Sequence, residues 1–164
     1  TGHGARAHLM LGNLLRDQRQ DVDGAEKAYR AAIEANPGYA DAHNNLGLLL
    51  ETERQDVDGA EKAYRAAIEA DPGDADAHSN LAILLEGRAR LMEESDGKAA
   101  AALYDKCAQL WSFSKGRDHD WTKGAKADAQ RVRAVLAARS NAEGGAESQR
   151  RGKKGRKGKK GGEG

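Results

Sequence analysis

The chain has 164 residues, of which 32% are charged and only 4% are aromatic. This length predicts one compact domain, and the scarcity of aromatic residues excludes a single large aromatic core. No apolar run approaches the ~18 residues that a membrane-spanning helix needs, and the single cysteine, Cys107, excludes an internal disulfide framework. We therefore expect a soluble intracellular protein, cytoplasmic or nuclear. Because the chain begins with Thr1, both a fragment and a processed form are open.

The net charge of +1 hides two segments of opposite sign. Residues 150–164 contain eight Lys or Arg and one Glu, which gives +7, whereas residues 1–149 contain 19 Lys or Arg and 25 Asp or Glu, which gives −6. The sequence therefore predicts an acidic body that carries a basic tail.

The first part of the chain predicts two consecutive helices. Leu14 and Leu15 follow Leu11 at spacings of three and four residues, which places all three on one face of a first helix. Asp21 can cap the start of a second helix, since a carboxylate accepts hydrogen bonds from free backbone N–H groups. Pro37 ends that helix, because proline disfavours helical geometry in the residue before it.

This pair of helices is repeated along the chain. The segment 21–35 recurs without change at 56–70, an offset of 35 residues, and a third copy begins at Ala75 and then diverges. Self-similarity at such a period is typical of helical repeat arrays, whose units stack in one direction. We predict three units, at residues 5–39, 40–74 and 75–112.

Small residues are expected to set the packing within each unit. Gly12 and Gly47 let the two helices approach closely, and Tyr29 and Tyr64 fill the space between them. After the third unit, residues 118–140 predict a capping helix that covers the open end of the array. Its apolar stripe runs at steps of three and four residues through Trp121, Ala125, Ala129, Val132 and Leu136. Residues 141–164 contain too few apolar side chains to offset their chain entropy and are predicted to be disordered.

The repeated pattern resembles the signature of the tetratricopeptide repeat family, which consists of leucine, a small residue, alanine, an aromatic residue, alanine and proline. In the first unit these are Leu11-Gly12, Ala25, Tyr29, Ala32 and Pro37; in the second they are Leu46-Gly47, Ala60, Tyr64, Ala67 and Pro72. The third unit has Leu81-Ala82, Ala100, Tyr104 and Cys107 but lacks the proline. The resemblance implies an all-α solenoid that acts as a protein-interaction scaffold or adaptor.

In this family the first helix of each unit faces a concave groove that receives an extended peptide. By that resemblance, the groove of this chain would be lined by polar, charged and aliphatic residues of the three first helices. In unit one these are Arg6, Leu9, Asn13 and Arg16; in unit two, Asp41, Asn44, Asn45, Leu48 and Glu51; and in unit three, Asp76, Ser79, Asn80, Ile83 and Glu86.

Two asparagines carry a narrower resemblance. The segments 42–47 and 77–82 look like the asparagine-ladder units of the O-linked N-acetylglucosamine transferase superhelix, which implies that Asn45 and Asn80 grip the backbone of a peptide. An asparagine side chain has both a carbonyl acceptor and an N–H donor, so it can bind the backbone of a peptide whatever the side chains of that peptide are. Unit one departs, because Met10 occupies the ladder position. A role in capping or solvating the groove remains the alternative.

A comparison with the carboxylate clamp of chaperone co-factors, which binds the C-terminus of heat-shock chaperones, gives a poorer match. Asn13 and Asn45 fit the two asparagines of the clamp. Leu9, Asp76 and Asn80 stand where basic residues are expected, and Asp76 would repel a carboxylate. We therefore do not expect that function.

Other motifs favour structural roles over chemistry. His8, His43 and His78 recur at one position of the unit, where packing is the expected role, since neighbouring helices lie ~8–10 Å apart and a zinc ligand must lie within ~2 Å. The segment 21–24 resembles the start of a calcium loop, but a helix follows at once, so a capping turn is favoured. Cys107 is expected to be a small buried thiol. We predict no enzyme activity, no cofactor and no metal.

The basic tail has three interpretations: a nuclear localisation signal, a nonspecific nucleic-acid arm and a solubilising extension. Its charged residues are Arg150, Arg151, Lys153, Lys154, Arg156, Lys157, Lys159 and Lys160. The sequence thus predicts a scaffold that binds an extended protein or peptide partner and no membrane. The alternatives are the substrate-recognition part of a larger enzyme, such as a glycosyltransferase, and an adaptor with weak nucleic-acid contact through the tail.

Overall fold

The computed structural model describes the backbone of residues 2–157 and the side chains of residues 3–142. Within these limits the chain consists of helices and contains no strand, which confirms the predicted all-α fold. The helices are α1 (Gly2–Arg19), α2 (Val22–Ala35), α3 (Ala40–Thr52), α4 (Val57–Ala70), α5 (Ala75–Met92), α6 (Gly97–Ser114) and α7 (Asp120–Lys157).

Consecutive helices pack as pairs. α1 lies against α2, α3 against α4 and α5 against α6, so each predicted unit contains one pair. Contacts of α2 with α3 and of α4 with α5 join the units, and α7 packs against α6 at the end of the array. The result is the solenoid expected from the repeat.

The second helix of each unit starts at a carboxylate cap. The Asp21 side chain accepts a hydrogen bond from the backbone N–H of Gly24 at 2.9 Å, and Asp56 does the same with Gly59 at 2.9 Å. Each carboxylate therefore satisfies a backbone donor that has no partner inside the helix. The predicted caps are confirmed.

A buried tyrosine fills the space between the two helices of each unit. Tyr29, Tyr64 and Tyr104 are fully buried. A Cβ atom added to Gly12 would lie 2.5 Å from Cε1 of Tyr29, and one added to Gly47 would lie 2.7 Å from Cδ1 of Tyr64. Both distances are shorter than a carbon–carbon contact, so the first helix needs glycine where the ring packs against it.

The final helix covers the third unit, as expected of a cap. Ala129 and Val132 of α7 are buried in a cluster with Ala89, Ala101 and Tyr104. Trp121 differs from the expected stripe, because its side chain is 53% exposed. Its ring instead lies against that of Trp111, with the centroids 4.7 Å apart, near the start of α7.

The capping helix is also longer than the sequence predicts. Its backbone continues past residue 140 as far as Lys157, through part of the segment that we expected to be disordered. No proline interrupts this stretch, and its good helix formers, Ala, Glu, Gln, Arg and Lys, outnumber its four glycines. Residues 158–164, the end of the predicted tail, lie outside the described residues.

An ion pair fastens α7 to the end of α5. The Arg131 guanidinium donates to both oxygens of the Glu93 carboxylate at 2.7 and 2.9 Å, and the Tyr104 hydroxyl donates to the same group at 2.6 Å. These hydrogen bonds, that of Arg131 first, lower the pKa of Glu93 from 4.5 to about 2. The carboxylate therefore remains charged in mildly acidic solution.

We expect Tyr64→Ala to lower the free energy of unfolding by ~3–5 kcal/mol, because it removes a fully buried aromatic ring. Denaturant unfolding measures the loss. Tyr64→Phe is the matched control: it removes only the hydroxyl that donates to Glu51 and should cost about 1 kcal/mol. A loss below ~1 kcal/mol for Tyr64→Ala would contradict its place in the core.

We expect the Glu93 carboxylate to stabilise the fold in a pH-dependent way. Its pKa is lower in the folded chain than in the unfolded one, so its contribution is complete above pH 4.5 and is lost as the pH falls through about 2. Unfolding of the original chain and of Glu93→Gln should be compared across this range. The stability difference should shrink toward the acidic end; a constant difference would show that the charge is not involved.

Candidate functional site

The first helices α1, α3 and α5 carry the predicted groove residues. The structure leaves most of them accessible, and they fall into two groups by burial. Arg6, Asp41, Asp76 and Ile83 are exposed, whereas Asn13, Arg16, Asn44, Asn45, Leu48, Glu51, Ser79, Asn80 and Glu86 are partly buried.

Leu9 does not lie where the groove prediction puts it. Its side chain is only 7% exposed and belongs to the main apolar core. Asn44 holds the equivalent position in the second unit and stays partly accessible. The difference follows from the chemistry of the side chain, because an isobutyl group gains by leaving water and an amide does not.

Asparagine pairs connect the first helices of neighbouring units. Asn45 donates from Nδ2 to Oδ1 of Asn13 at 3.0 Å, which joins α3 to α1. Asn80 donates from Nδ2 to Oδ1 of Asn44 at 3.0 Å, which joins α5 to α3. The Tyr29 hydroxyl also donates to Oδ1 of Asn13 at 2.9 Å. These bonds orient the amides, and the Tyr29 hydroxyl ties that of Asn13 to the buried core.

The second and third units give the groove helices an acidic character. Among the described side chains, the exposed carboxylates of Asp41 and Asp76 form no salt bridge. Glu86 is paired with Arg90 at 2.6 Å, and Glu51 accepts from the Tyr64 hydroxyl at 2.7 Å. Burial and then this hydrogen bond raise the pKa of Tyr64, so its proton stays on the phenol.

In the first unit the predicted groove residues include two arginines and no carboxylate. Arg16 lies on α1, and its guanidinium donates to the Asp17 carboxylate at 2.6 Å. This bond raises the pKa of Arg16 and neutralises much of its charge locally. Arg6 is exposed near the start of the same helix. The groove helices therefore change from basic or neutral in unit one to acidic in units two and three.

Two of the three repeated histidines and the cysteine occupy structural positions. His78 is buried and its ring stacks on Phe113, with centroids 4.0 Å apart, and His43 lies 2.8 Å from the carbonyl oxygen of Pro37 through Nε2. His8 is exposed. Cys107 is fully buried, and burial is the main cause that raises the pKa of its thiol to about 12. In the part of the chain that the structure describes, no cluster of ligand-type side chains could hold a metal ion.

The structure also reveals an open apolar hollow that the sequence reasoning did not single out. We call it the α5 hollow and define it by Val57 at the start of α4, Ile83, Gly87 and Leu91 on α5, and Leu84 beneath them. It has a volume of about 860 Å³. The sequence contains a signal for it, because Gly87 stands where the preceding unit has Thr52.

The charged side chains of the basic tail, from Arg150 to Lys157, lie outside the described side chains, and Lys159 and Lys160 lie outside the described residues altogether. For the helices that are described, none combines the length and the apolar character that crossing a membrane requires.

Comparison with known proteins shows which family has this sequence pattern and fold. Two family models, both described as tetratricopeptide repeat, match residues 9–75 and 63–110 and together span residues 9–110. No curated protein sequence is similar enough to match the chain.

Solved structures with the same fold are numerous, and three illustrate the similarity. The first tetratricopeptide domain of Spaghetti (RPAP3), bound to the HSP90 peptide SRMEEVD, has a TM-score of 0.55 and 16% identity over 84% of this chain and 96% of that one. The TPR2B domain of yeast Sti1, in a complex with pHsp70, has a TM-score of 0.55 and 19% identity over 79% and 98%. The Arabidopsis OM64 TPR domain has a TM-score of 0.55 and 20% identity over 82% and 98%.

At these identities the solved structures show the fold, and the family models supply the sequence signature that goes with it. The shared fold agrees with the helix pairs described above. The chain belongs to the tetratricopeptide repeat family.

Proposed function

We propose that this chain is an interaction scaffold that binds an extended segment of another protein along α1, α3 and α5. The observation that carries the proposal is the pair of asparagine bonds between units, Asn45 to Asn13 and Asn80 to Asn44. They hold amide groups in fixed orientations on partly accessible surfaces of successive helices. A preorganised row of this kind lowers the entropy cost of binding a chain.

Asn45 and Asn80 are suited to contact a peptide backbone. Each uses one amide hydrogen in the bond to its neighbouring unit, and an asparagine side chain has a second amide hydrogen and a carbonyl oxygen. These groups match the carbonyl and N–H of an extended peptide. Binding through them would depend little on the side chains of the partner, as in the asparagine-ladder arrangement.

The charges favour a partner with basic or apolar residues. Asp41 and Asp76 are exposed on neighbouring first helices, where a like charge would be repelled. Two of the similar structures are complexes with ligands from chaperones, and the HSP90 peptide SRMEEVD has three acidic residues among its last four. Asp76 and the buried Leu9 argue against such a ligand here. We therefore propose the same general mode of binding with the opposite charge preference.

The basic tail supports a second candidate role. Its charge of +7 beside a body of −6 is sufficient either for contact with nucleic acid or for contact with the acidic helices of the same chain. Each basic residue that neutralises a phosphate contributes to a steep salt dependence of binding.

The alternative that the chain is the substrate-recognition part of a larger enzyme can be tested by reading the complete coding frame for a catalytic domain.

We expect the double variant Asp41→Lys and Asp76→Lys to weaken binding of a captured partner about tenfold or more, because reversal places like charges against a basic segment. Affinity is measured by titration after circular dichroism has confirmed the fold. The matched control is Glu34→Lys with Glu69→Lys, which changes the net charge equally on exposed positions of α2 and α4. Equal affinity of the test variant and the original chain would exclude this surface as the site.

Deleting residues 150–164 separates the two roles of the tail. If the tail occupies the acidic groove, deletion should raise the affinity for a groove peptide at low salt, and the gain should fade as salt screens the contact. If it serves nucleic acid, deletion should abolish binding to duplex DNA and leave the peptide affinity unchanged. Both ligands are titrated against the full and shortened chains at two salt concentrations. No change in either titration would remove both roles.

A further inference from the structure

The α5 hollow is an exposed apolar surface with a defined shape. Val57 is 41% exposed, Ile83 54% and Leu91 86%, whereas Leu84 beneath them is 5% exposed. Gly87 lies between Ile83 and Leu91 on the same helix, and a Cβ atom there would meet nothing within 4 Å. The missing side chain keeps the middle of the hollow open.

The preceding junction of the array provides an internal comparison. An equivalent hollow between units one and two is lined by Arg16, Val22, Leu48 and Thr52. Shifting these residues by the 35-residue offset gives Glu51, Val57, Ile83 and Gly87. The valine is unchanged, but an arginine has become a glutamate and a threonine has become a glycine. The first hollow also contains Asp17, which pairs with Arg16, and Glu53. The second hollow is therefore larger, and it has Glu51, a carboxylate without a salt bridge among the described side chains, at the position where the first has a paired arginine.

The additional length of α5 forms one side of the α5 hollow. α3 ends at Thr52, and the equivalent end of α5 would be Gly87, but α5 continues to Met92. This extension carries Leu91, the most exposed of the large apolar residues among the described side chains. Side chains this exposed are costly to leave in water when they are grouped around an open space, which favours an occupant for the hollow.

The charged rim indicates the nature of that occupant. The two arginines of the hollow are already paired, Arg88 with Glu61 at 2.9 Å and Arg90 with Glu86 at 2.6 Å. Glu51 and Asp56, also on the rim, form no salt bridge within the described part of the chain. The hollow thus offers an apolar floor beside two acidic groups that can accept a cation.

We propose that the α5 hollow binds an apolar side chain, such as leucine, of a peptide in which lysine or arginine stands beside it. The apolar side chain would lie over Leu84 between Ile83 and Leu91, and the basic one would pair with Glu51 and Asp56. The proposal rests on the proposed function, because Glu51 and Ile83 belong both to the hollow and to the predicted groove. It adds a sequence preference to a scaffold that otherwise contacts backbone.

Short fluorescent peptides that are otherwise glycine and serine test the preference directly. One contains Lys-Leu-Leu-Lys, the second Lys-Ser-Ser-Lys and the third Glu-Leu-Leu-Glu. Fluorescence anisotropy with the full chain should show the first bound about tenfold more tightly than either of the others. Equal affinities for the leucine and serine peptides, or no binding of any peptide, would overturn the proposal.

Variants then locate the binding. Gly87→Thr places the threonine of the preceding unit in the open space, should leave the fold intact, and should weaken Lys-Leu-Leu-Lys binding about tenfold. The matched control Thr52→Gly should leave it unchanged. Glu51→Gln keeps an acceptor for the Tyr64 hydroxyl but removes the charge, and should reduce the advantage of Lys-Leu-Leu-Lys over Glu-Leu-Leu-Glu. Full binding by Gly87→Thr would overturn the proposal.

The two proposals can fail separately. If binding is lost in the double variant at Asp41 and Asp76 but not in Gly87→Thr, the groove function stands and the hollow does not. If Gly87→Thr weakens binding and the double variant does not, the hollow binds the peptide without the wider groove.

Discussion

The close approach of a glycine to the face of a buried tyrosine ring sets the geometry of the first two units. Gly12 with Tyr29 and Gly47 with Tyr64 leave no room for a Cβ atom, so the helix separation depends on these contacts. The tyrosines reach past the core as well. Their hydroxyls donate to Asn13 and Glu51, which are predicted groove residues. The packing that holds a unit together thereby orients part of its candidate binding surface.

The two junctions between units are held by the same kinds of polar contact. On the groove helices, asparagines bond from α3 to α1 and from α5 to α3. Elsewhere at the junctions, Arg54 pairs with Glu26 at 3.2 Å and Arg88 with Glu61 at 2.9 Å. Such exposed ion pairs contribute little one at a time. Because they recur with the repeat, they favour one way of stacking a unit on its neighbour.

The sequence predicted best those parts of the fold in which local and repeated signals agree. The identical segments 21–35 and 56–70 produce α2 and α4 with the same caps and the same buried tyrosine. The resemblance placed Leu9 in the groove by its position in the unit, but its apolar side chain is buried in the core, whereas the polar Asn44 at the equivalent position stays partly accessible. The α5 hollow escaped prediction because it depends on the length of α5, and the repeat pattern is lost where that helix extends.

The burial of Cys107 has a consequence for measuring how the array comes apart. Its sulfur lies 3.4 Å from the carbonyl oxygen of Ala82, so the thiol sits at the contact between α6 and α5. A thiol reagent reacts with the thiolate and needs access to the sulfur. While these helices are packed, the thiol is buried and stays protonated, so it does not react. The rate of labelling would therefore report local opening of the third unit. Since the chain has no other cysteine, the two preceding units would be silent in that measurement.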